Sequence, residues 1–132
     1  MIKQNLHCHT TFDDGADTPE AMVNAAVSAG LTSLGISAHS PVPGEVWCVS
    51  EENEPRFKAE LHRLREKYRG QIDVYCGLEY DSRSAQRFEG YDYVIASVHA
   101  LAGTTIDNTV EEARQVIEHY GGADAAACAY YA

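Results

Sequence analysis

The chain has 132 residues, 45% of them hydrophobic and 23% charged, which is enough for one folded domain with a real core and argues against a disordered chain. Twenty acidic against ten basic side chains give a formal charge of −10, which argues against nucleic acid held by general electrostatics, since that needs a basic face. The opening MIKQNLHC lacks a secretory pattern, and no apolar run approaches the roughly 18 residues of a membrane span. With Cys8, Cys48, Cys76 and Cys128 far apart and without CxxC spacing, the expectation is a cytoplasmic protein with reduced thiols and no membrane partner.

In chain order, residues 2–8 read as a short strand. "DTPEAMVNAAVSAGL" reads as a helix with Thr18 as N-cap, Pro19 in the first helical position and Gly30 closing the end; Met22, Val23, Ala26 and Val27 form its apolar stripe. Residues 32–39 form a second strand, followed by a loop with Pro41, Pro43, Gly44 and Trp47. A second helix runs from about Glu54 to Arg69, with Phe57, Leu61, Leu64 and Tyr68 on one face and His62 on the exposed side. Residues 71–80 and 91–99 are the third and fourth strands. "NTVEEARQVIEHYG" is a third helix capped by Asn108 or Thr109 and ended by Gly121, and "ADAAACAYYA" reads as a short last helix.

Strands alternating with helices at this spacing predict parallel βα units, whose chemistry gathers at the carboxyl ends of the strands. The four strands end in His7 and His9, His39, Glu79, and His99, with Asp13 and Asp14 in the loop after the first. Residues i and i+2 of a strand share a face, so His7 and His9 can grip one ion while Cys8 turns into packing. Imidazole with carboxylate suits zinc, manganese or iron, and a bridging carboxylate such as Glu79 lets two ions act together on phosphorus. Asp13 reads as a loop residue, and Asp14 as a ligand or a shaper of the turn. Cys8 and Cys76 read as core thiols. Trp47 is open between a substrate lid and packing, Asp81 between support for the site and a turn role. Arg83 and Arg87 are the bases nearest the site and could meet a phosphate.

The motifs "NLHCHTTFDDG", "LGISAHS", "CGLEYD" and "IASVH" resemble the successive motifs of the polymerase-and-histidinol-phosphatase (PHP) family. Their spacing, the long loop after His39 and the trailing "YGGADAAACAYYA" are most similar to the histidinol-phosphatase branch. The resemblance covers nearly the whole chain. It implies an α/β fold, the N-terminal portion of a distorted (β/α)7 TIM-like barrel, with about four parallel strands and helices outside. On this reading residues 1–132 are a single PHP domain, incomplete at its C-terminus.

The resemblance further implies two or three divalent ions (Zn, Mn or Fe) and hydrolysis of a small phosphomonoester such as L-histidinol phosphate by a metal-bound hydroxide. His7, His9 and Glu79 would hold the first ion, Glu79 and His99 the second, and Asp14 and His39 would share a third. Glu79 and His99 would carry the catalysis, and Arg83 would bind substrate. The family completes its site with a further histidine and an Asp–His pair that lie beyond the four motifs present here. Ala38 also replaces an acid usually found before the second-motif histidine, which loosens the support behind His39. His119, inside a predicted helix, is no substitute. Two alternatives follow: a truncated, catalytically weak or inactive metal-binding fragment, or a half-barrel that pairs its open sheet edges in a homodimer. A polymerase-associated domain of the same family is a third reading, against which the acidic charge speaks.

Overall fold

The computed structural model describes residues 3–132, so residue 2, the first of the expected first strand, lies outside the described part. The chain divides into two compact units, Met1–Ala96 and Ser97–Ala132. The first carries β1 (Gln4–Asn5), α1 (Pro19–Ser28), β2 (Ser33–His39), α2 (Glu54–Lys67) and β3 (Asp73–Asp81), and β4 (Tyr93–Ser97) ends at its boundary. These four strands form one parallel sheet in the order β1-β2-β3-β4.

Helix α1 is where its capping chemistry puts it. Thr18 Oγ1 accepts a hydrogen bond from the Ala21 N–H at 3.2 Å, Pro19 fills the first turn, and α1 stops at Ser28, two residues before Gly30. Phe57, Leu61 and Leu64 of α2 and Tyr68 at its C-cap are all buried, as their four-three-four spacing predicts, and His62 is exposed. They pack with Leu34, Ile36, Val74 and Cys76, the residues of β2 and β3 that point to the helix side. α1 is also tied to α2 by Glu20, which meets Arg63 at 2.6 Å and pairs with Lys67.

The opposite face of the sheet has two glycines at its centre and a tyrosine lying over them. Gly35 and Gly77 line it, and the Tyr93 ring lies across both. A Cβ at Gly35 would come within 2.2 Å of the Tyr93 hydroxyl, and one at Gly77 within 2.3 Å of its ring carbon Cζ. Across this glycine floor the Tyr93 hydroxyl donates to the Leu6 carbonyl at 2.6 Å, joining β4 to the segment that carries His7. Burial pushes the Tyr93 hydroxyl well above the usual phenol range, so it stays a donor.

The strands differ from expectation at their ends. β1 is two residues long, not seven, because beyond Asn5 the ladder gives way to single bonds such as Ser37 N–H to the Cys8 carbonyl at 3.0 Å. β4 begins at Tyr93, not 91. Asp92 is used in a turn: its N–H donates to the Cys76 carbonyl (2.8 Å), and its carboxylate accepts from the Cys76 N–H (2.7 Å) and pairs with Arg65.

The second unit holds a hairpin that the sequence reading did not foresee, β5 (Ala100–Leu101) with β6 (Thr104–Thr105), then α3 (Val110–His119) and α4 (Ala123–Tyr130). Ala102 and Gly103 form its two-residue turn with φ of 49° and 78°. Thr109, one of the two expected caps, accepts from the Glu112 N–H and donates to the Glu112 carboxylate.

Candidate metal centre

The parallel register of β2 and β3 sets the site. Ser33 pairs with Asp73 and each later residue with its counterpart, so the ladder finishes with His39 beside Glu79. Both strands therefore deliver their ligand-type side chains at the same rung of the carboxyl edge. The segment after β1 runs alongside and presents His7 and His9 to that face. Cys8, between them, turns to the helix side, where its thiol donates to the Gly35 carbonyl at 3.2 Å. Burial, followed by the Asp13 carboxylate, pushes the Cys8 thiol up to about 11.

Glu79 is the hub. Its Oε2 lies 3.0 Å from His7 Nε2, 3.2 Å from His9 Nε2 and 3.1 Å from His39 Nδ1. The His9 and His39 rings stack at 4.2 Å. Asp14, half exposed, stands 3.6 Å from His9 Nδ1 and 3.6 Å from His39 Nε2. The structure thus brings together His7, His9, Asp14, His39 and Glu79. His99 belongs to the second unit, where its Nδ1 lies 2.7 Å from Asp107 Oδ2.

The spacing of the donor set is compatible with divalent ions. Two ligands bonded at about 2.0–2.1 Å to one ion stand about 2.9 Å apart at right angles and about 3.3 Å apart at the tetrahedral angle. The three nitrogen-to-oxygen separations around Glu79 fall inside that interval. Among the described residues, His7, His9 and Glu79 form one group whose ligand atoms all lie within 4.8 Å of one another, and His9, Asp13, Asp14 and His39 form another. The two stacked imidazoles are shifted in opposite directions. Burial pulls His9 down, but hydrogen bonds to Asp13 and Glu79 outweigh it and hold its pKa up to about 10. Burial, and then the positive charge of His9, pulls His39 below the ordinary imidazole value.

The loop from Thr10 to Gly15 shapes this end of the cluster. It curls tightly, with the Asp13 and Gly15 N–H groups both donating to the Thr10 carbonyl at 2.9 and 3.0 Å. A Cβ at Gly15 would sit 2.3 Å from the Thr10 backbone nitrogen, so glycine is what allows the approach. The curl buries the Asp13 side chain completely. Phe12 anchors the loop against Phe57, edge-on at 5.5 Å.

A second layer lies beside His39. The Trp47 ring meets His39 edge-on at 4.8 Å, and its indole N–H donates to Glu45 at 2.8 Å. Arg83 donates to both oxygens of the buried Asp81, at 3.0 and 2.9 Å, and to Glu45 at 3.1 Å. The readings left open for Trp47 and Asp81 thus acquire contacts: Trp47 packs on a candidate ligand, and Asp81 orients Arg83. Asp13, expected as a loop residue, contacts both His9 and His39, and Asp107, the partner of His99, is a neighbour that sequence reasoning did not single out.

A parallel sheet with histidines and acids gathered at the carboxyl ends of its strands defines an α/β chain with a candidate metal centre. It matches the PHP domain over residues 5–130, and the chain belongs to that family. It is 33% identical over 114 residues to a Deinococcus radiodurans protein named a probable histidinol-phosphatase, covering 77% of this chain and 44% of the relative. It is 28% identical over 91 residues to the Bacillus subtilis histidinol-phosphatase, covering 61% of this chain and 34% of the relative. Among solved structures, a Listeria monocytogenes protein described as a histidinol phosphatase superposes with a TM-score of 0.82 at 21% identity, over 97% of this chain and 58% of that one. The Lactococcus lactis histidinol phosphate phosphatase, solved with zinc, L-histidinol and phosphate, superposes with a TM-score of 0.65 at 24% identity, over 89% and 51%. The chain thus spans between 34% and 58% of these proteins' lengths, and its fold is the expected part of a TIM-like barrel.

Proposed function

We propose that this chain carries a divalent-metal centre for hydrolysis of a small phosphomonoester, with L-histidinol phosphate the leading substrate. The observation that carries the reading is the convergence of three imidazole nitrogens on one carboxylate oxygen at 3.0–3.2 Å. Family membership, the names of the two curated relatives and the zinc, histidinol and phosphate bound by the Lactococcus protein support the substrate class.

On this reading His7, His9 and Glu79 hold one ion, and Asp14 and His39 share another. His99 enters through the family resemblance, as a ligand joined with Glu79. Zinc is the leading metal; manganese and iron suit the same donors. Bound ions there lower the pKa of water and neutralise charge on the phosphoryl oxygens. By the same resemblance, Glu79 and His99 carry the catalysis. Arg83, held by Asp81 and Glu45, is the base we assign to the phosphate.

A second reading rests on the share of the relatives that the chain spans, 44% of the Deinococcus protein. Here the residues bind metal but turn over weakly or not at all, as a fragment or as a half-barrel whose edge strands β1 and β4 pair with a second copy. Light scattering that returns a monomer mass removes the paired form.

The deciding measurement is metal content per purified chain together with hydrolysis of an aryl phosphate with and without added Zn²⁺ or Mn²⁺. Turnover abolished by His9→Ala or Glu79→Ala supports the enzyme, and bound metal without turnover supports the fragment. Equal turnover by a metal-free chain defeats both.

A further inference from the structure

Asp13 stands next to the expected ligand Asp14, yet its surroundings are of a different kind. Its side chain is fully buried. Oδ1 accepts from the Thr10 N–H at 2.9 Å. Oδ2 accepts from the His39 N–H at 3.0 Å and lies 2.7 Å from His9 Nδ1. Three of the roughly four lone-pair sites of a carboxylate are thereby used, each by a group that belongs to the segments carrying His9 and His39. Asp14, in contrast, is half exposed and beyond hydrogen-bond distance of either imidazole.

An imidazole that binds a metal through one nitrogen commonly donates its other N–H to a carboxylate, which fixes the tautomer and the ring orientation. In His9 the two nitrogens are already divided this way, with Nδ1 facing Asp13 and Nε2 facing Glu79. The same Asp13 oxygen reaches across 26 residues of sequence to the backbone of His39. One side chain therefore sets the orientation of one candidate ligand and the position of another.

We infer that Asp13 is a positioning residue of the metal centre, its carboxylate holding a proton on His9 Nδ1 so that Nε2 is the ligand atom, and clamping the loop to the end of β2. This rests on the reading of the cluster as a divalent-metal site. It assigns Asp13 a role distinct from Asp14: Asp13 orients ligands and does not bind the ion.

Asp13→Asn is the informative variant, because it keeps the shape and removes one acceptor. With its amide NH2 at the Oδ2 position it faces the His39 N–H with a donor and cannot accept the His9 Nδ1 proton. Turned over, it faces the Thr10 N–H with a donor. Zinc titration of the full chain by calorimetry is expected to show affinity lowered by roughly 10–100-fold with unchanged stoichiometry. Long-range ¹H–¹⁵N spectra of the zinc-loaded wild-type chain are expected to show His9 protonated at Nδ1 and metal-bound at Nε2. That second readout needs no variant, so it decides the matter even if Asp13→Asn does not fold. Zinc bound through His9 Nδ1 overturns the proposal. So does wild-type affinity in a folded Asp13→Ala chain, which offers neither histidine an acceptor, or loss of a whole equivalent of zinc in Asp13→Asn, which would make Asp13 a ligand. A wild-type chain that binds no zinc overturns the metal reading, and this proposal with it.

Discussion

Cys76 shows how a single buried group responds to solution conditions. It faces the helix side of β3, and burial, followed by the Asp92 carboxylate, pushes its thiol up to about 12 from an ordinary value of 9.0. The folded state therefore favours the neutral thiol. Its contribution to stability is fully present below about pH 9 and is lost as pH rises from there through 12. Urea midpoints of the metal-free chain are expected to fall between pH 8.5 and 10.5, and Cys76→Ala should flatten that fall. In a thiol-labelling assay at pH 8, exposed Cys128 should react at once and buried Cys8 and Cys76 only on unfolding. The core role of these two thiols was legible from their strand positions, because neighbours in a strand alternate faces. The role of Asp13 was not. Two adjacent aspartates look alike on paper, and only the curl closed by Gly15 sends one inward and the other out.

Among the elements, the glycine floor under Tyr93 makes the sharpest prediction. A methyl group at Gly77 would collide with the Tyr93 ring, so Gly77→Ala should cost about 1–3 kcal/mol by overpacking. In a Tyr93→Leu background the collision is relieved, and the same change should cost less than about 1 kcal/mol. Four urea curves, one for each corner of that cycle, measure the coupling. Equal costs in both backgrounds would mean that the ring does not press on the sheet. The helices were legible almost residue by residue, since caps and apolar spacing are local signals: Thr18, Pro19 and the Phe57–Leu61–Leu64 stripe all act where expected. Strand ends were less so, because they depend on partners distant in sequence, as when Asp92 leaves the ladder to serve Cys76 and Arg65. The β5–β6 hairpin escaped notice for another reason. Its turn uses Ala102 at positive φ, where asparagine, aspartate or glycine would have announced it.

For the whole molecule the dominant quantity is charge. Twenty acids against ten bases leave the chain at −10, and the cluster around Glu79 adds carboxylates at a shared point. A ligand that binds only the folded chain stabilises it by mass action, by about 2.7 kcal/mol at one hundred times its dissociation constant. Added Zn²⁺ is therefore expected to raise the thermal midpoint, EDTA to reverse the rise, and Glu79→Ala to abolish it. A midpoint indifferent to zinc would show that the folded cluster has no preference for the ion. The common rung of His39 and Glu79 also governs which changes of length this protein can absorb. One extra residue inside β2 or β3 would turn the terminal side chain to the helix side and dismantle the cluster. Added residues in the loop after His39, or between α2 and β3, would leave the strand ends aligned. Insertions and deletions tolerated by such a chain should thus crowd into its connectors, leaving the spacing from Ser33 to His39 and from Asp73 to Glu79 invariant.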